Sequence, residues 1–222
     1  MPMARLRGDQ VYSQIKRQLA AGFLRFGDRI DIAALADQLA VSVTPVREAL
    51  SRLFDEQLVQ FAPTKGFSVR MLSAEELRQL YEWNMMLAGI ALSKHVAASV
   101  ATIAAHQPSK SVATAAAGLA HSPEPPEAVI AGNLFLRIAS GSDNANLVRA
   151  VGNVNDRLAF LRTIELEVMA DCLVEVTRLN DLYDGGRFTQ MRRALIAYHR
   201  KRSKLVPELL KEALSRSFSS DP

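Results

Sequence analysis

Cysteine is nearly absent from this chain, since Cys172 is the only one in 222 residues. A single thiol excludes an internal disulfide and any cysteine-rich zinc site, and it favours a reducing compartment. Long apolar runs are also missing. No stretch reaches the roughly 18 residues of a membrane-spanning helix, and the N-terminus lacks the apolar core of a secretion signal. We therefore expect a cytoplasmic protein with no membrane partner.

Histidine and aromatic residues are scarce as well, with four histidines and 6% aromatic residues. The sequence has no phosphate-binding glycine loop, no His-Glu-x-x-His motif and no nucleophile with a plausible base nearby. We therefore expect no catalytic residues and no cofactor. The 49% hydrophobic content is that of a folded domain, and the net charge of +4 permits nucleic-acid binding without requiring it.

Residues 41–50, Val-Ser-Val-Thr-Pro-Val-Arg-Glu-Ala-Leu, carry the most informative pattern that is present. The hydroxyls of Ser42 and Thr44 are suited to cap a helix, Pro45 fits a first helical turn, and Glu48 is expected near the N3 position. One stripe of this helix is apolar (Val46, Leu50, Leu53), and the residues off it include Thr44, Arg47, Ser51 and Arg52. A short capped helix with hydroxyls and arginines on its outer side is suited to a DNA major groove.

The surrounding pattern predicts a winged helix-turn-helix domain over residues 1–72. Apolar residues recur every four positions from Val11 to Phe23, which predicts a first helix, and a second helix is expected at about 32–40. The helix of residues 41–50 follows after a short turn. Two short strands, 58–61 and 67–71, flank a turn in which Gly66 is free to take a positive φ.

Residues 73–222 are predicted to form a second, all-helical domain. Ser73-Ala74-Glu75-Glu76 is a capping box that opens a helix running past Lys94. Further helices are expected at about 97–120 (interrupted at 107–108), 127–140, 144–169, 171–183 and 187–214, with a loop at 121–127 and a bend or division near Pro207. The predicted fold class is therefore mainly α, a winged helix-turn-helix followed by a helical bundle.

Several motifs, in this order, resemble the GntR family of bacterial repressors. They are Phe26-Gly27-Asp28-Arg29, Leu35-Ala36-Asp37-Gln38-Leu39, residues 41–50 and Thr64-Lys65-Gly66-Phe67. The helical remainder, with Leu80-Tyr81-Glu82 and with Gly185-Gly186 ahead of His199, is similar to the FadR-type branch with an FCD effector domain.

The resemblance implies a homodimeric transcriptional regulator that binds a palindromic operator in double-stranded DNA. It also implies that residues 73–222 are an effector-binding and dimerisation domain, with control by a small organic effector that is commonly a carboxylic acid. Two alternatives stay open. One is a constitutive DNA-binding protein whose bundle only dimerises, and the other is a small-molecule enzyme that uses the bundle pocket.

Eight residues are predicted to contact DNA: Ser42, Val43, Thr44, Pro45, Arg47, Arg52, Lys65 and Gly66. The resemblance implies an arginine where this chain has Val43, so we expect an operator that differs from the usual family site. Arg47 can give a guanine a bidentate contact worth about 1–3 kcal/mol. Lys65 lies at the expected wing tip, where it can meet phosphate or the minor groove.

The resemblance also implies a metal site, which this chain does not retain. Metal-binding members have an Asp-x-x-x-His pair and two later histidines. Aligning Phe135 and His199 with that pattern puts Gly132, Leu136 and Val176 at three of the four ligand positions. Because a single imidazole does not hold a structural divalent ion, we predict that no metal is bound.

Six residues on predicted helices are candidate effector ligands: Asn84, Asn133, Arg137, Asn155, Arg162 and His199. Asn84 stands where the resemblance often implies an arginine, and His199 is the one retained family position. For each residue, an exposed or core-satisfied side chain is the alternative. Loss of the metal and of that arginine suggests a less charged ligand, or a domain that has stopped sensing. The other histidines, His95, His106 and His121, are expected at the surface or in loops.

A basic run closes the chain, with nine lysines and arginines between Arg187 and Arg216 against Glu208 and Glu212. A nucleic-acid patch is one interpretation of this run. We favour the other, the solvated outer face of a terminal helix.

Overall fold

The protein is described from a computed structural model, which gives the backbone of residues 2–104 and 126–218 and the side chains of residues 8–96 and 130–216. The helix predicted beyond residue 104, the first five residues of the loop predicted at 121–127, His106 and His121 lie outside the described residues. The last two residues of that predicted loop, 126 and 127, are helical.

The N-terminal unit contains three helices and a hairpin: α1 (Pro2–Ala20), α2 (Ile32–Gln38), α3 (Val43–Asp55), β1 (Val59–Ala62) and β2 (Gly66–Val69). The strands are antiparallel, with Val59 opposite Val69 and Phe61 opposite Phe67. Arg29 adds a β-bridge to Ser68, which fastens the loop between α1 and α2 to the hairpin. This is the winged helix-turn-helix that the sequence predicts.

The core of the N-terminal unit forms where the apolar stripes of its helices meet. Val46, Leu50 and Leu53 of α3 are fully buried, which confirms the predicted stripe. The expectation for Phe23 is wrong, because α1 ends at Ala20 and Gly22 turns the chain with a φ of +74°. Phe23 is therefore 71% exposed instead of extending the stripe of α1.

The helical unit contains six helices within the described residues: α4 (Ala74–Ala104), α5 (Pro126–Ser140), α6 (Ala145–Val168), α7 (Cys172–Asp184), α8 (Phe188–Lys204) and α9 (Val206–Phe218). The capping box is confirmed, since the Glu76 amide donates to Ser73 Oγ at 3.1 Å and the Ser73 amide donates to Glu76 Oε2 at 2.9 Å. The predicted division of the last helix is also confirmed, because α8 ends just before Pro207 and α9 begins beside it. Among the described residues, none forms a helix with the length and apolar character that crossing a membrane requires.

Helix α6 lies between the other elements, packing against α5, α4 and α9 on the bundle side and against α1 on the other. Lys16 Nζ on α1 lies 2.5 Å from Asp156 Oδ2 on α6. Four residues further along α6, the Phe160 ring meets the Phe26 ring edge-on, at a centroid distance of 5.3 Å. One helix therefore faces both the interior of the bundle and the N-terminal unit.

The closing basic run is not a uniform solvated face, which corrects the interpretation favoured above. Arg202 is completely buried, and Lys201 forms an ion pair with Asp171 at 2.6 Å. Arg192 and Arg193 are exposed, as expected. The sequence alone did not distinguish these residues, because the acidic partners of Lys201 and Arg202 lie 26 to 37 residues earlier in the chain.

Candidate nucleic-acid interface and buried polar layer

The outer face of α3 consists of side chains that packing leaves exposed, namely Thr44, Arg47, Glu48 and Ser51. Ser42 is the N-cap residue, but its hydroxyl makes no capping hydrogen bond. The predicted hydroxyl cap is therefore wrong. The predicted N3 position of Glu48 is also wrong, because Pro45 occupies N3 and Glu48 lies one turn further along the helix. The uncapped amides of the first turn stay available to a phosphate oxygen, which a helix N-terminus attracts.

Arg47 and Lys65 of the N-terminal unit are among its basic side chains that extend into solvent without a partner in the described part of the chain. Within the described residues, neither Arg47 nor Lys65 makes an ion pair or a side-chain hydrogen bond. Gly66, with a φ of +74°, forms the wing turn directly after Lys65. Val43 is exposed at the first turn of α3, where it is able to meet an apolar group such as a thymine methyl.

Arg52 has a different environment from the one expected for a DNA-contacting residue. Its Nη1 lies 2.6 Å from Asp9 Oδ1 on α1, and its guanidinium stacks 4.0 Å from the centre of the Tyr12 ring. The side chain is therefore held against α1 and would have to leave both partners to reach DNA.

Four of the six candidate effector ligands are buried together in the helical unit, and we call Asn84, Asn155, Arg162 and His199 the polar layer. Asn84 Nδ2 lies 3.2 Å from His199 Nε2, and Arg162 Nη2 donates to Asn155 Oδ1 at 2.9 Å. The Phe135 ring joins the two pairs, because its centre lies 5.4 Å from the His199 ring and 5.4 Å from the Arg162 guanidinium carbon.

The other two candidates lie outside this layer, and the expectation that they face the interior is corrected. Asn133 and Arg137 are on the solvent side of α5, opposite the stripe that buries Leu134 and Phe135. Arg137 pairs with Asp184 at the surface.

The expectation for His95 also needs correction, because its ring is partly buried. The ring stacks 5.5 Å from Phe188, and Nε2 lies 2.9 Å from the Ile138 carbonyl oxygen. His95 lies one turn after the buried Ala91 of α4, but its aromatic neighbours Tyr183 and Phe188 lie far along the chain. The local sequence therefore gave no clear signal of this packing.

The environment of His199 does not suit a metal ion. Its Nδ1 lies 2.8 Å from the Leu195 carbonyl oxygen, and its Nε2 already faces the Asn84 amide. Within the part of the chain that the structure describes, His, Cys, Asp and Glu side chains nowhere gather in threes around a point that would hold a metal. Burial lowers the pKa of His199 to about 3, and the nearby charges of Arg202 and Arg162 act in the same direction.

Because of His199, the free energy of unfolding is expected to decrease as the pH is lowered. Its folded-state pKa of about 3 lies below the unfolded value of 6.5, so the unfolded chain takes up the proton first. The neutral imidazole therefore contributes stability above pH 6.5, and that contribution is lost as the pH falls toward 3. Between pH 7.5 and 5.5 we expect this proton to remove about 1.4 kcal/mol from the free energy of unfolding, measured by urea denaturation. His199→Gln should remove this increment, and an equal loss in both proteins would contradict the assignment.

A buried ion pair next to the polar layer was not foreseen from the sequence. Arg202 Nε lies 2.6 Å from Glu165 Oε2, and the Tyr81 hydroxyl donates to Glu165 Oε1 at 2.6 Å. One signal was available, since Glu165 continues the inward stripe of Leu158 and Leu161 along α6. A charged residue on an apolar stripe indicates a buried partner, although the sequence does not say which one.

Comparisons with known proteins agree with this geometry. Residues 7–69 match the family model described as bacterial regulatory proteins of the gntR family. The Nta operon transcriptional regulator of Aminobacter aminovorans is 27% identical over 202 residues, covering 88% of this chain and 92% of that protein. The transcriptional regulator McbR of Escherichia coli K12 is 37% identical over 87 residues, which are 37% of this chain and 39% of McbR.

Two solved structures share the fold over most of the chain. The crystal structure of a GntR transcriptional regulator from Rhodococcus sp. RHA1 aligns with a TM-score of 0.65 at 16% identity, covering 91% of this chain and 98% of that one. The structure of E. coli McbR/YncC aligns with a TM-score of 0.60 at 19% identity, covering 91% and 97%. At these identities the likeness concerns the fold alone, a helix-turn-helix unit followed by a helical unit.

Proposed function

Because this chain is a DNA-binding transcriptional regulator of the GntR family, we propose that it is a cytoplasmic repressor, not an enzyme, that binds a palindromic operator as a homodimer. The DNA-binding domain is residues 1–72, and residues 73–222 form an FCD-like effector domain of the FadR type. The observation that carries the DNA-binding proposal is the outer face of α3, whose Arg47 is engaged by no described residue.

The contacts with DNA divide into two kinds. Arg47 and Thr44, on the exposed side of α3, read base edges in the major groove. Lys65 at the wing and the free amides at the start of α3 bind phosphate and set the position of the helix. Arg52 has a smaller part, because its guanidinium is held by Asp9 and Tyr12.

Arg47→Ala is expected to weaken binding to the preferred operator by about 1–3 kcal/mol and to relax the sequence preference at one base pair of each half-site. Lys65→Ala should weaken binding to all DNA sequences by a similar factor. It should also reduce the slope of log affinity against log salt concentration by about one for each chain, because one fewer counterion is released. The operator is first selected from a randomised DNA pool with the wild-type protein. Affinities are then measured by fluorescence anisotropy at several salt concentrations.

The matched control is Arg192→Ala, an exposed arginine on α8 in the helical unit. Its operator affinity should equal that of the wild type. If Arg47→Ala binds the operator as tightly as the control does, α3 is not the recognition helix.

Exposed apolar side chains on the helical unit support the homodimer. Trp83, Met86 and Ile90 are exposed at i, i+3 and i+7 of α4, and Leu173 and Val174 are exposed at the start of α7. Either set is a candidate for burial against a second copy, and two copies are what a palindrome requires. Sedimentation of the selected operator with protein should show two chains on each palindrome.

The polar layer is the proposed effector site, and α6 is the proposed link to DNA. Asn155 and Arg162 lie on the inward side of α6, while Asp156 and Phe160 on the same helix contact the N-terminal unit. Burial raises the pKa of Asp156, and the charges of Lys16 and Arg162 oppose that effect, so the layer and the domain contact also interact electrostatically. An effector that moves Arg162 would change how the N-terminal unit is held.

A further inference from the structure

A cavity of about 30 Å³ lies where the N-terminal unit meets α6. This volume is enough for about two water molecules. The end of α1, the loop after it and the base of the hairpin form one side, and Asp156, Arg157 and Phe160 of α6 form the other. Seven of the eleven residues in its wall are apolar, and none of the eleven belongs to the polar layer. Whatever fills this cavity therefore touches both units at once.

Arg157 brings an unpaired positive charge to this cavity. Its Nε is buried and has no hydrogen-bond partner among the described residues. Within the described ranges its guanidinium forms no ion pair either. Burial lowers the pKa of Arg157, and the charge of Arg70 acts in the same direction, while Glu76 opposes it. An unsatisfied N–H beside a second cation is unfavourable, and an anion would relieve both effects.

The other charged groups near the cavity are already paired. Arg70 Nη2 lies 2.6 Å from Glu76 Oε1, so that carboxylate is held at Arg70. Asp156 is the acidic residue of the described wall, and its Oδ2 lies 2.5 Å from Lys16 Nζ. Lys16 also reaches Glu56 Oε2 at 3.2 Å, outside the wall. Because these carboxylates lie close by, the cavity suits an anion with a single charge and disfavours one with two.

We propose that this cavity, which we call the seam site, binds one monovalent inorganic anion of the size of chloride, with Arg157 Nε donating to it and Arg70 adding a second positive charge. Chloride is only slightly larger than a water molecule, so it fits a volume of about 30 Å³ that excludes organic acids. A halide also tolerates apolar walls, whereas phosphate would need donors for several buried oxygens. The inference goes beyond the proposed function, because neither the polar layer nor the DNA-contacting residues take part.

A bound anion would clamp the two units together. Arg70 follows β2 in the N-terminal unit, whereas Arg157 lies on α6 of the helical unit. One anion between them replaces the repulsion between two cations with two attractions across the seam. The firmness with which the N-terminal unit is held would then depend on the anion concentration.

The test compares the melting temperature of the purified full-length chain in sodium chloride and in sodium methanesulfonate at the same ionic strength. Equal ionic strength keeps general screening constant, and methanesulfonate is too large for the cavity. At about ten times its Kd, chloride should raise the melting temperature by about 3–6 °C over methanesulfonate. Bromide should act as chloride does. Amide exchange in the loop between α1 and α2 should be slower in chloride than in methanesulfonate.

Two variants assign the effect to the seam site. Arg157→Met should lose the chloride increment, and in methanesulfonate it should melt at or above the wild-type temperature, because it removes an unpaired charge. Arg149→Met, an exposed position on the same helix, is the matched control and should keep the increment. Phosphate stabilises proteins generally, so its effect should be the same in the wild type and in Arg157→Met.

Crystals of the wild type grown in sodium bromide give a direct measurement that does not depend on any variant. An anomalous peak of bromide is expected beside Arg157 Nε. Water at that position would overturn the proposal, and a bromide peak without any change in melting temperature would mean an adventitious ion only.

The solution measurements can contradict the proposal in three further ways: equal melting temperatures in chloride and methanesulfonate, an unchanged chloride increment in Arg157→Met, or a phosphate effect that this variant loses. A melting temperature of Arg157→Met below that of the wild type in methanesulfonate would also count against it, because the guanidinium would then have a structural partner. None of these measurements uses DNA. Their failure would therefore leave the proposed function untouched, and operator binding tests that separately.

Discussion

Replacing Arg202 by methionine is expected to reduce the free energy of unfolding by about 3–5 kcal/mol. The Glu165 carboxylate, 1% exposed, would keep only the Tyr81 hydroxyl as a described partner. Burial and the adjacent carboxylate raise the pKa of Tyr81, so its hydroxyl stays protonated and donates, but a phenol does not neutralise the charge. An uncompensated carboxylate in the protein interior is what makes this substitution costly. Urea denaturation followed by circular dichroism measures the loss.

Two further variants separate the charge effect from simple loss of packing. Adding Glu165→Gln to Arg202→Met should make the protein more stable than the single variant, because the amide keeps an acceptor for Tyr81 and removes the unpaired charge. Asp184→Asn breaks the exposed pair with Arg137 and should cost less than about 1 kcal/mol. A double variant no more stable than Arg202→Met would show that packing, not charge, dominates.

Arg202 matters for the architecture because it joins helices that are distant in the sequence. Its Nη1 also reaches Glu175 Oε2 on α7 at 2.9 Å, and its Nη2 lies 3.3 Å from the buried Cys172 sulfur. Through Glu165 and Tyr81 the network extends to α6 and α4. A single side chain on α8 thereby fixes the relative positions of four helices that surround the polar layer.

The local features of this fold are readable from the sequence because they depend on neighbouring residues. The Ser73 capping box, the stripe of α3 and the hairpin turn at Gly66 each follow from residues within a few positions of one another. The failures have local reasons too. Phe23 continues the four-residue spacing of apolar residues in α1, but the helix has already ended before Gly22. The spacing of apolar residues alone does not show where a helix ends.

The arrangement of the polar layer is readable only in part. The sequence places all six candidates on helices but does not tell which of them face inward. The structure buries Asn155, Arg162 and His199. Arg137 instead lies at the surface, where it pairs with Asp184, 47 residues later in the chain. The ion pair of Arg52 with Asp9 and that of Arg202 with Glu165 join residues 43 and 37 positions apart. Which charges meet across such separations is decided by packing angles between helices, which one sequence does not contain.

Phe160→Ala is expected to loosen the N-terminal unit from the helical unit and to cost about 3–5 kcal/mol. The Phe160 ring packs edge-on against Phe26 and lies directly under Gly22, where a Cβ would come within 2.5 Å of it. The polar contacts that remain there, chiefly Lys16 with Asp156, do not replace this interlocking of an aromatic ring with the backbone. We expect unfolding to separate into two transitions in calorimetry and amide exchange to increase in the loop between α1 and α2. Affinity for a single half-site should be retained while affinity for the palindrome falls, because the two winged units would no longer be held at a fixed spacing.

Phe23→Ala, in the same loop but 71% exposed, is the matched control and should behave as the wild type. Equal palindrome affinity in both variants would mean that the contact around Phe160 does not position the DNA-binding unit.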